Sequence, residues 1–185
     1  SALDVGAWPV GDVDGDGDVD LAVSDGVALE IFDGDGAGGF TASGSTFAGV
    51  PDDAGGLPFD YDGDGDADLV MNSGSELAVL ENDGMGGFTL ATTSIGDAGA
   101  SLAIGDREGD GDPDVLTGRP SPLSPAWLVN DGSPMTWATA SVTMRTDTLS
   151  QLALVDVNED GDLDVIGYDP DDAEIIYLPT GGADV

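Results

Sequence analysis

An acidic loop that recurs four times constrains this chain more than anything else in it. Asp12-Val13-Asp14-Gly15-Asp16-Gly17-Asp18-Val19-Asp20 puts an Asp at every second position and runs straight into apolar Leu21-Ala22-Val23. Five carboxylates in nine residues repel one another and cannot pack unaided. The pattern returns as Asp60, Asp62, Asp64, Asp66 and Asp68, then as Asp106, Glu108, Asp110, Asp112 and Asp114, and finally as Asp156, Asn158, Asp160, Asp162 and Asp164. The loops begin at residues 12, 60, 106 and 156, a spacing of 48, 46 and 50. A near-constant period of that size is the mark of a repeat architecture.

A hard cation resolves the repulsion. Ca²⁺ takes six to eight oxygen ligands in flexible geometry. Positions 1, 3 and 5 of each loop offer side-chain oxygens, and a Gly at position 6 permits the sharp turn. Position 7 offers its backbone carbonyl, and the carboxylate at position 9 closes the shell. About four Ca²⁺ ions are expected, with the twenty residues above as the metal set. The sites are not equivalent: Glu108 is longer than Asp and sits beside Arg107 and near Pro113, and Asn158 is uncharged. The third or fourth loop is therefore expected to bind most weakly. An EF-hand needs a Glu at position 12 and flanking helices, whereas Val23, Met71, Thr117 and Gly167 stand there.

Around each loop lie short apolar runs. Trp8 to Val10, Leu57 to Phe59, Leu102 to Ile104 and Leu152 to Val155 lead in, and a second run leads out. A third follows at Ala28–Phe32, Leu77–Leu80, Ala126–Val129 and Ile175–Leu178. Runs this short, bounded by Gly, Asp, Asn and Ser, read as strands. Asp33-Gly34-Asp35-Gly36-Ala37-Gly38-Gly39-Phe40 and Asn82-Asp83-Gly84-Met85-Gly86-Gly87-Phe88 then read as hairpin turns rather than further metal sites, with a fourth strand starting at Phe40, Phe88 or Trp137. Four-stranded units of this length predict an all-β β-propeller, a single domain over 1–185 built from four antiparallel blades at about 1–48, 49–95, 96–143 and 144–185. The fourth blade runs out at Thr180-Gly181-Gly182, so its last strand is missing or is supplied by Ser1–Val5.

The D-x-D-x-D-G-x-x-D loop, the apolar strand after it and the N-D-G-x-G-G-F-like turn resemble the FG-GAP/VCBS repeats of integrin-α-type β-propellers. All four loops match; the turn matches well in repeats one and two, loosely in three and not in four. The resemblance implies blades with Ca²⁺ in the first hairpin loop, in extracellular or cell-surface proteins of adhesion and ligand binding. Such propellers have seven blades, so four repeats close a smaller ring, belong to a larger one or assemble with another copy. A closed ring makes a monomer, which is the expectation here ahead of a homodimer driven by unpaired edges.

The formal charge of −35, with no Lys and three Arg, argues against nucleic acid and anionic membrane as partners. No apolar run approaches the roughly 18 residues of a membrane-spanning helix. Without His, Cys or Lys, most nucleophile–base pairs are excluded, and the clustered carboxylates are claimed by calcium, so no enzyme is expected. Trp8, Trp127 and Trp137 read as core before they read as a sugar-stacking platform. The expected function is a calcium-stabilised scaffold that binds a protein or carbohydrate ligand, with a calcium-dependent lectin as the alternative and a hydrolase domain behind both.

Overall fold

The computed structural model describes residues 6–24, 28–48, 55–72, 77–93, 101–118, 125–130, 137–141 and 149–179. The chain divides into two compact units, Ser1–Gly96 and Asp97–Val185. The first holds two four-stranded sheets. One is β1 (Gly6–Gly11), β2 (Asp20–Ser24), β3 (Ala28–Gly34) and β4 (Phe40–Ala48); the other is β5 (Gly55–Phe59), β6 (Asp68–Asn72), β7 (Leu77–Asn82) and β8 (Phe88–Thr93). The second unit holds β9 (Ser101–Gly105), β10 (Asp114–Gly118), β11 (Ala126–Asn130) and β12 (Trp137–Ser141), followed by β13 (Ser150–Val155), β14 (Asp164–Asp169) and β15 (Glu174–Leu178). Within each sheet every strand pairs antiparallel with the next in sequence, and the sheets recur at the period of the loops. The question of a last strand in the fourth repeat falls on residues 180–185 and 1–5, outside the described residues.

Burial follows from the strand period of two. In β2, Asp20, Ala22 and Ser24 point inward while Leu21 and Val23 are half-buried. β10 is buried along its whole length, as suits a strand with a neighbour on each side and packing on both faces. The core of the first unit gathers Val13, Ala22, Leu29, Ile31, Leu69, Met71, Leu80 and Phe88. That of the second gathers Ala103, Leu116, Trp127 and Val165. Full burial of one such aliphatic side chain is worth about 1.5–3 kcal/mol. Trp127 is only 2% exposed, so this tryptophan is core; the side chains of Trp8 and Trp137 lie outside the described set.

Within the first unit the two repeats are joined by polar contacts as well as apolar ones. Phe88 packs edge-on against Phe47 of the preceding repeat, ring centres 5.7 Å apart. The Gly86 N–H donates to the Val13 carbonyl at 2.9 Å, and the Ser45 hydroxyl donates to the Gly86 carbonyl at 3.1 Å. Buried Asn82 spends its side-chain amino group on two carbonyls, Val13 at 3.0 Å and Ala67 at 3.1 Å. One amide thus spans two acidic loops. Replacing it strands buried acceptors, which costs about 1–3 kcal/mol for each unsatisfied group. Asn82→Ala is expected to destabilise the calcium form by about 2 kcal/mol; an unchanged urea midpoint would show that the bridge is dispensable.

Candidate metal centres

Each acidic loop connects the first and second strands of its sheet, and its shape is set by carboxylates holding backbone amides. At position 1, Asp12 accepts from the N–H groups of Gly15 (2.8 Å), Asp16 (3.0 Å) and Gly17 (2.8 Å). Asp60 accepts from Gly63 and Gly65, Asp106 from Gly109, Asp110 and Gly111, and Asp156 from Asp160 and Gly161. Position 3 accepts from the position-5 N–H in the first, second and fourth loops. Position 5, occupied by Asp16, Asp64, Asp110 and Asp160, accepts from the N–H of position 7 in all four.

Such tight wrapping requires a left-handed backbone at position 6, where Gly17, Gly65, Gly111 and Gly161 have φ between 94° and 100°. It requires one at position 4 as well. Gly15, Gly63 and Gly109 fill that position in three loops, but the fourth has Glu159 at φ 61°. A side chain there costs roughly 1–2 kcal/mol through the Cβ–carbonyl clash. Glu159→Gly removes the clash and concedes about 0.5–1 kcal/mol of chain entropy. A modest gain is therefore expected, read as a rise in the calcium form's melting temperature, and a fall would contradict the strain.

Position 9 ties each loop to its sheet. Asp20, Asp68, Asp114 and Asp164 are all buried. Each accepts from the position-2 N–H of its own loop: Val13 at 2.8 Å, Tyr61 at 2.6 Å, Arg107 at 2.7 Å and Val157 at 3.0 Å. Three of them also accept from the end of the third strand, from Gly34 (2.8 Å), Asn82 (2.7 Å) and Asn130 (2.8 Å). In the fourth repeat the Tyr177 hydroxyl donates to Asp164 at 3.1 Å. These carboxylates fasten the loop to the sheet. Burial pushes Asp68 up to about 6, opposed by the Asn82 and Tyr61 amides and reinforced by Asp62 and Asp64. Burial likewise pushes Asp114 up to about 6, against the Arg107 and Asn130 amides and with Glu108 adding to it.

The position-7 side chains face elsewhere. The Asp18 carboxylate lies against Gly36, and that of Asp66 against Gly84, both in the second hairpin turn of their repeats. Desolvation first, then neighbouring carboxylates, raise both from the ordinary value. Those second turns are hairpins tied by their own aspartates. Asp35 accepts from Ala37 and Gly39, and Asp83 from Met85 and Gly87. The Gly39 amide above all holds Asp35 below the usual carboxylate range. Asp33, at the end of β3, was not among the residues marked by the loop spacing. Burial raises it, and so do the charges of Asp14, Asp20 and Asp16, which places its carboxylate in the field of the first loop. Its signal in the sequence was an acid closing an apolar strand.

The donor set fits a hard divalent cation. Carboxylate oxygens of Asp12, Asp14 and Asp20 lie within 4.8 Å of one another, as do those of Asp60, Asp62 and Asp68. Positions 1, 3 and 9 therefore converge in the first two loops, all oxygen and all charged, the chemistry Ca²⁺ favours. Among the described residues these two acidic triads are the ones brought so close. In the third loop Glu108 is paired with Arg107 at 2.6 Å. In the fourth, Asn158 donates to Asp160 at 2.9 Å, an amide where the other loops have an acid.

A family model described as "FG-GAP-like repeat" matches residues 12–71, 60–117 and 106–167. Comparison with curated proteins gave no match. Among solved structures, an Agrocybe aegerita lectin, described by its specific recognition of non-reducing terminal N-acetylglucosamine, is similar at a TM-score of 0.61 and 23% identity, over 88% of this chain and 46% of the lectin chain. The Photorhabdus luminescens Tc holotoxin pore is similar at 0.55 and 19% identity, over 93% of this chain and 9% of that one. The chain thus spans less than half the length of either. At these identities the likeness is one of fold. No helix among the described residues is long and apolar enough to cross a membrane.

Proposed function

Because the chain belongs to the FG-GAP-like repeat family, a non-catalytic structural repeat, we propose that it is a calcium-stabilised β-propeller module of a secreted or cell-surface protein, serving as a scaffold for a protein or carbohydrate ligand. The convergence of positions 1, 3 and 9 in the first two loops carries this reading. Asp12, Asp14 and Asp20 hold one ion, Asp60, Asp62 and Asp68 a second. The third and fourth loops, with Glu108 and Asn158 at position 3, hold two more at lower affinity. Calcium would supply charge neutralisation and no chemistry. The chain's own residues wrap the loop around position 1 and anchor it to the sheet through position 9.

Calorimetric titration of calcium-stripped protein tests this reading. It is expected to show about four sites in more than one affinity class, between roughly 10⁻⁶ and 10⁻³ M. Binding of fewer than two ions removes its basis. Mg²⁺ is expected to substitute poorly because it demands a tighter octahedral shell. A calcium-dependent lectin is the nearest variant of the same proposal. Trp127, sealed in the core, gives it no stacking platform, and a glycan array with and without chelator separates the two.

A further inference from the structure

The pairing of the second and third strands sets one further residue beside each acidic loop. β2 and β3 pair Leu21 with Phe32 and Ala22 with Ile31. One step further in that register, Asp33 stands opposite Asp20, the position-9 acid. Residues directly opposed in an antiparallel pair share a face of the sheet. That face carries buried Ala22, Leu29 and Ile31, and Asp33 is half-buried at its end. In the second repeat Leu69 pairs with Leu80 and Val70 with Val79, so half-buried Glu81 falls opposite Asp68. In the third, Val115 pairs with Leu128, and Val129 falls opposite Asp114. In the fourth, Val165 pairs with Leu178, and Pro179 falls opposite Asp164. Position 9 therefore faces an acid in the first two repeats and an apolar residue in the last two.

The acids stand where they cost stability. Like charges directly opposite one another across a strand pair are destabilising, and Asp33 with Asp20, like Glu81 with Asp68, is such a pair. The described residues include a single Arg, and it is committed to Glu108 of the third loop. The field of Asp33 reaches positions 3, 5 and 9 of the first loop, since Asp14, Asp20 and Asp16 all raise it after burial. Glu81 is felt inside the second loop too. The hydroxyl of Tyr61, at position 2, is raised first by burial and next by the charge of Glu81. Neither acid belongs to the converged triads, so each acts as a charge beside the ion rather than as one of its ligands.

We infer that the residue opposite position 9 sets the affinity order of the calcium loops: Asp33 and Glu81 make the first and second sites the tight pair, and Val129 leaves the third weak. This rests on the calcium reading of the loops and adds to it two acids that lie outside the ligand spacing. The charge gathered around Ca²⁺ tunes its affinity, and an acid that opposes the empty fold is offset once the ion is bound.

Calcium titration of the stripped full-length chain at low salt, where charge is least screened, tests the inference. Asp33→Asn and Glu81→Gln remove a charge and little else. Each is expected to weaken one tight site about fivefold, and the double variant both, the order of effect that one partly screened charge supplies. Val129→Glu places the second repeat's acid in the third and is expected to tighten one weak site by a similar factor, with Glu108 unchanged. Glu30→Gln removes the same charge from the other face of β3 and is expected to bind as the wild type does. In chelator at high salt the two neutral variants are expected to hold or raise their melting temperature, because a repulsive charge has gone. Neutral variants that bind calcium as the wild type does overturn the inference. So does an equal loss in Glu30→Gln, which would assign the effect to overall charge, and so does a lower melting temperature in chelator, which would assign it to packing. If Val129→Glu does not fold, the neutral variants decide alone. A wild type that binds fewer than two ions overturns the calcium reading itself, whereas wild-type binding in two classes that the variants leave unmoved overturns this inference only.

Discussion

Removing calcium at neutral pH and low salt is expected to abolish the β-sheet circular dichroism signal, and excess Ca²⁺ to restore it. In the folded first unit, three carboxylates stand within 4.8 Å of one another at each of two loops. At an effective dielectric near 20, each like-charged pair at that distance costs about 3 kcal/mol. The core that must offset this includes, among the described residues, the cluster of Val13, Ala22, Leu29, Ile31, Leu69, Met71, Leu80 and Phe88. A domain's net stability is only about 5–15 kcal/mol. Calcium reverses the sign because it binds the folded loops far better than the unfolded chain. One site at 100-fold excess over its dissociation constant adds about 2.7 kcal/mol, and independent sites add together. Asp62→Ala separates the two contributions: it takes away a ligand and also a repulsive charge. Its melting temperature is expected to fall in calcium, and in chelator at high salt, where screening lets the stripped chain fold in part, to hold or rise. Chelated protein that melts cooperatively near the temperature of the calcium form would show the metal to be peripheral.

Acid is expected to do part of calcium's work. Asp68 and Asp114 sit near 6 in the folded state, against about 3.9 for a free aspartate. Between those values the folded chain binds more protons than the unfolded one, so stability falls as pH rises. Their stabilising contribution is full below about pH 4 and gone above about pH 6. Each such displacement is worth at most about 3 kcal/mol, less once solvent screening is counted. Asp18, Asp66 and Asp33, also raised, act in the same sense. Asp35 is lowered and acts in the opposite one, losing its contribution as pH falls through its depressed value. Calcium-stripped protein should therefore gain β-sheet signal and melting temperature as pH falls from 7 toward 4.5. Calcium-loaded protein should lose stability over the same interval, because protons displace the ion from its carboxylates. Parallel melts at several pH values, with and without calcium, check this. A stripped protein that weakens steadily with acid would mean that buried position 9 is not what opposes the metal-free fold.

The sequence made the loops legible because their chemistry is local. Ligand spacing, the position-6 glycine and the bounding strands are all written within ten residues, and β1–β3 and β5–β7 lie where the apolar runs put them. The position-4 requirement was equally local, visible as Gly15, Gly63 and Gly109 with Glu159 as the exception, but a ligand pattern gives no reason to look between ligands. The second task of Asp20, Asp68 and Asp114 was not legible. Their partners Gly34, Asn82 and Asn130 lie 14 to 16 residues away and are joined only once the second and third strands have paired. The difference between exposed Phe40 and buried Phe88 was hidden for the same reason. Phe40 and Phe88 open nearly identical segments, and only the packing of one repeat on another tells them apart.

Asn82 also bears on how the ions are taken up. Its amino group touches the backbone of the first loop at Val13 and of the second at Ala67, and its own N–H rests on Asp68. An ion that orders either loop fixes one end of this bridge and so lowers the cost of ordering the other. Coupling of this kind is reciprocal: whatever factor the first ion adds to the affinity for the second, the second adds to the first. If both loops take calcium as proposed, the first unit is expected to respond to it over a narrower range of concentration than two separate loops would, filling as a pair.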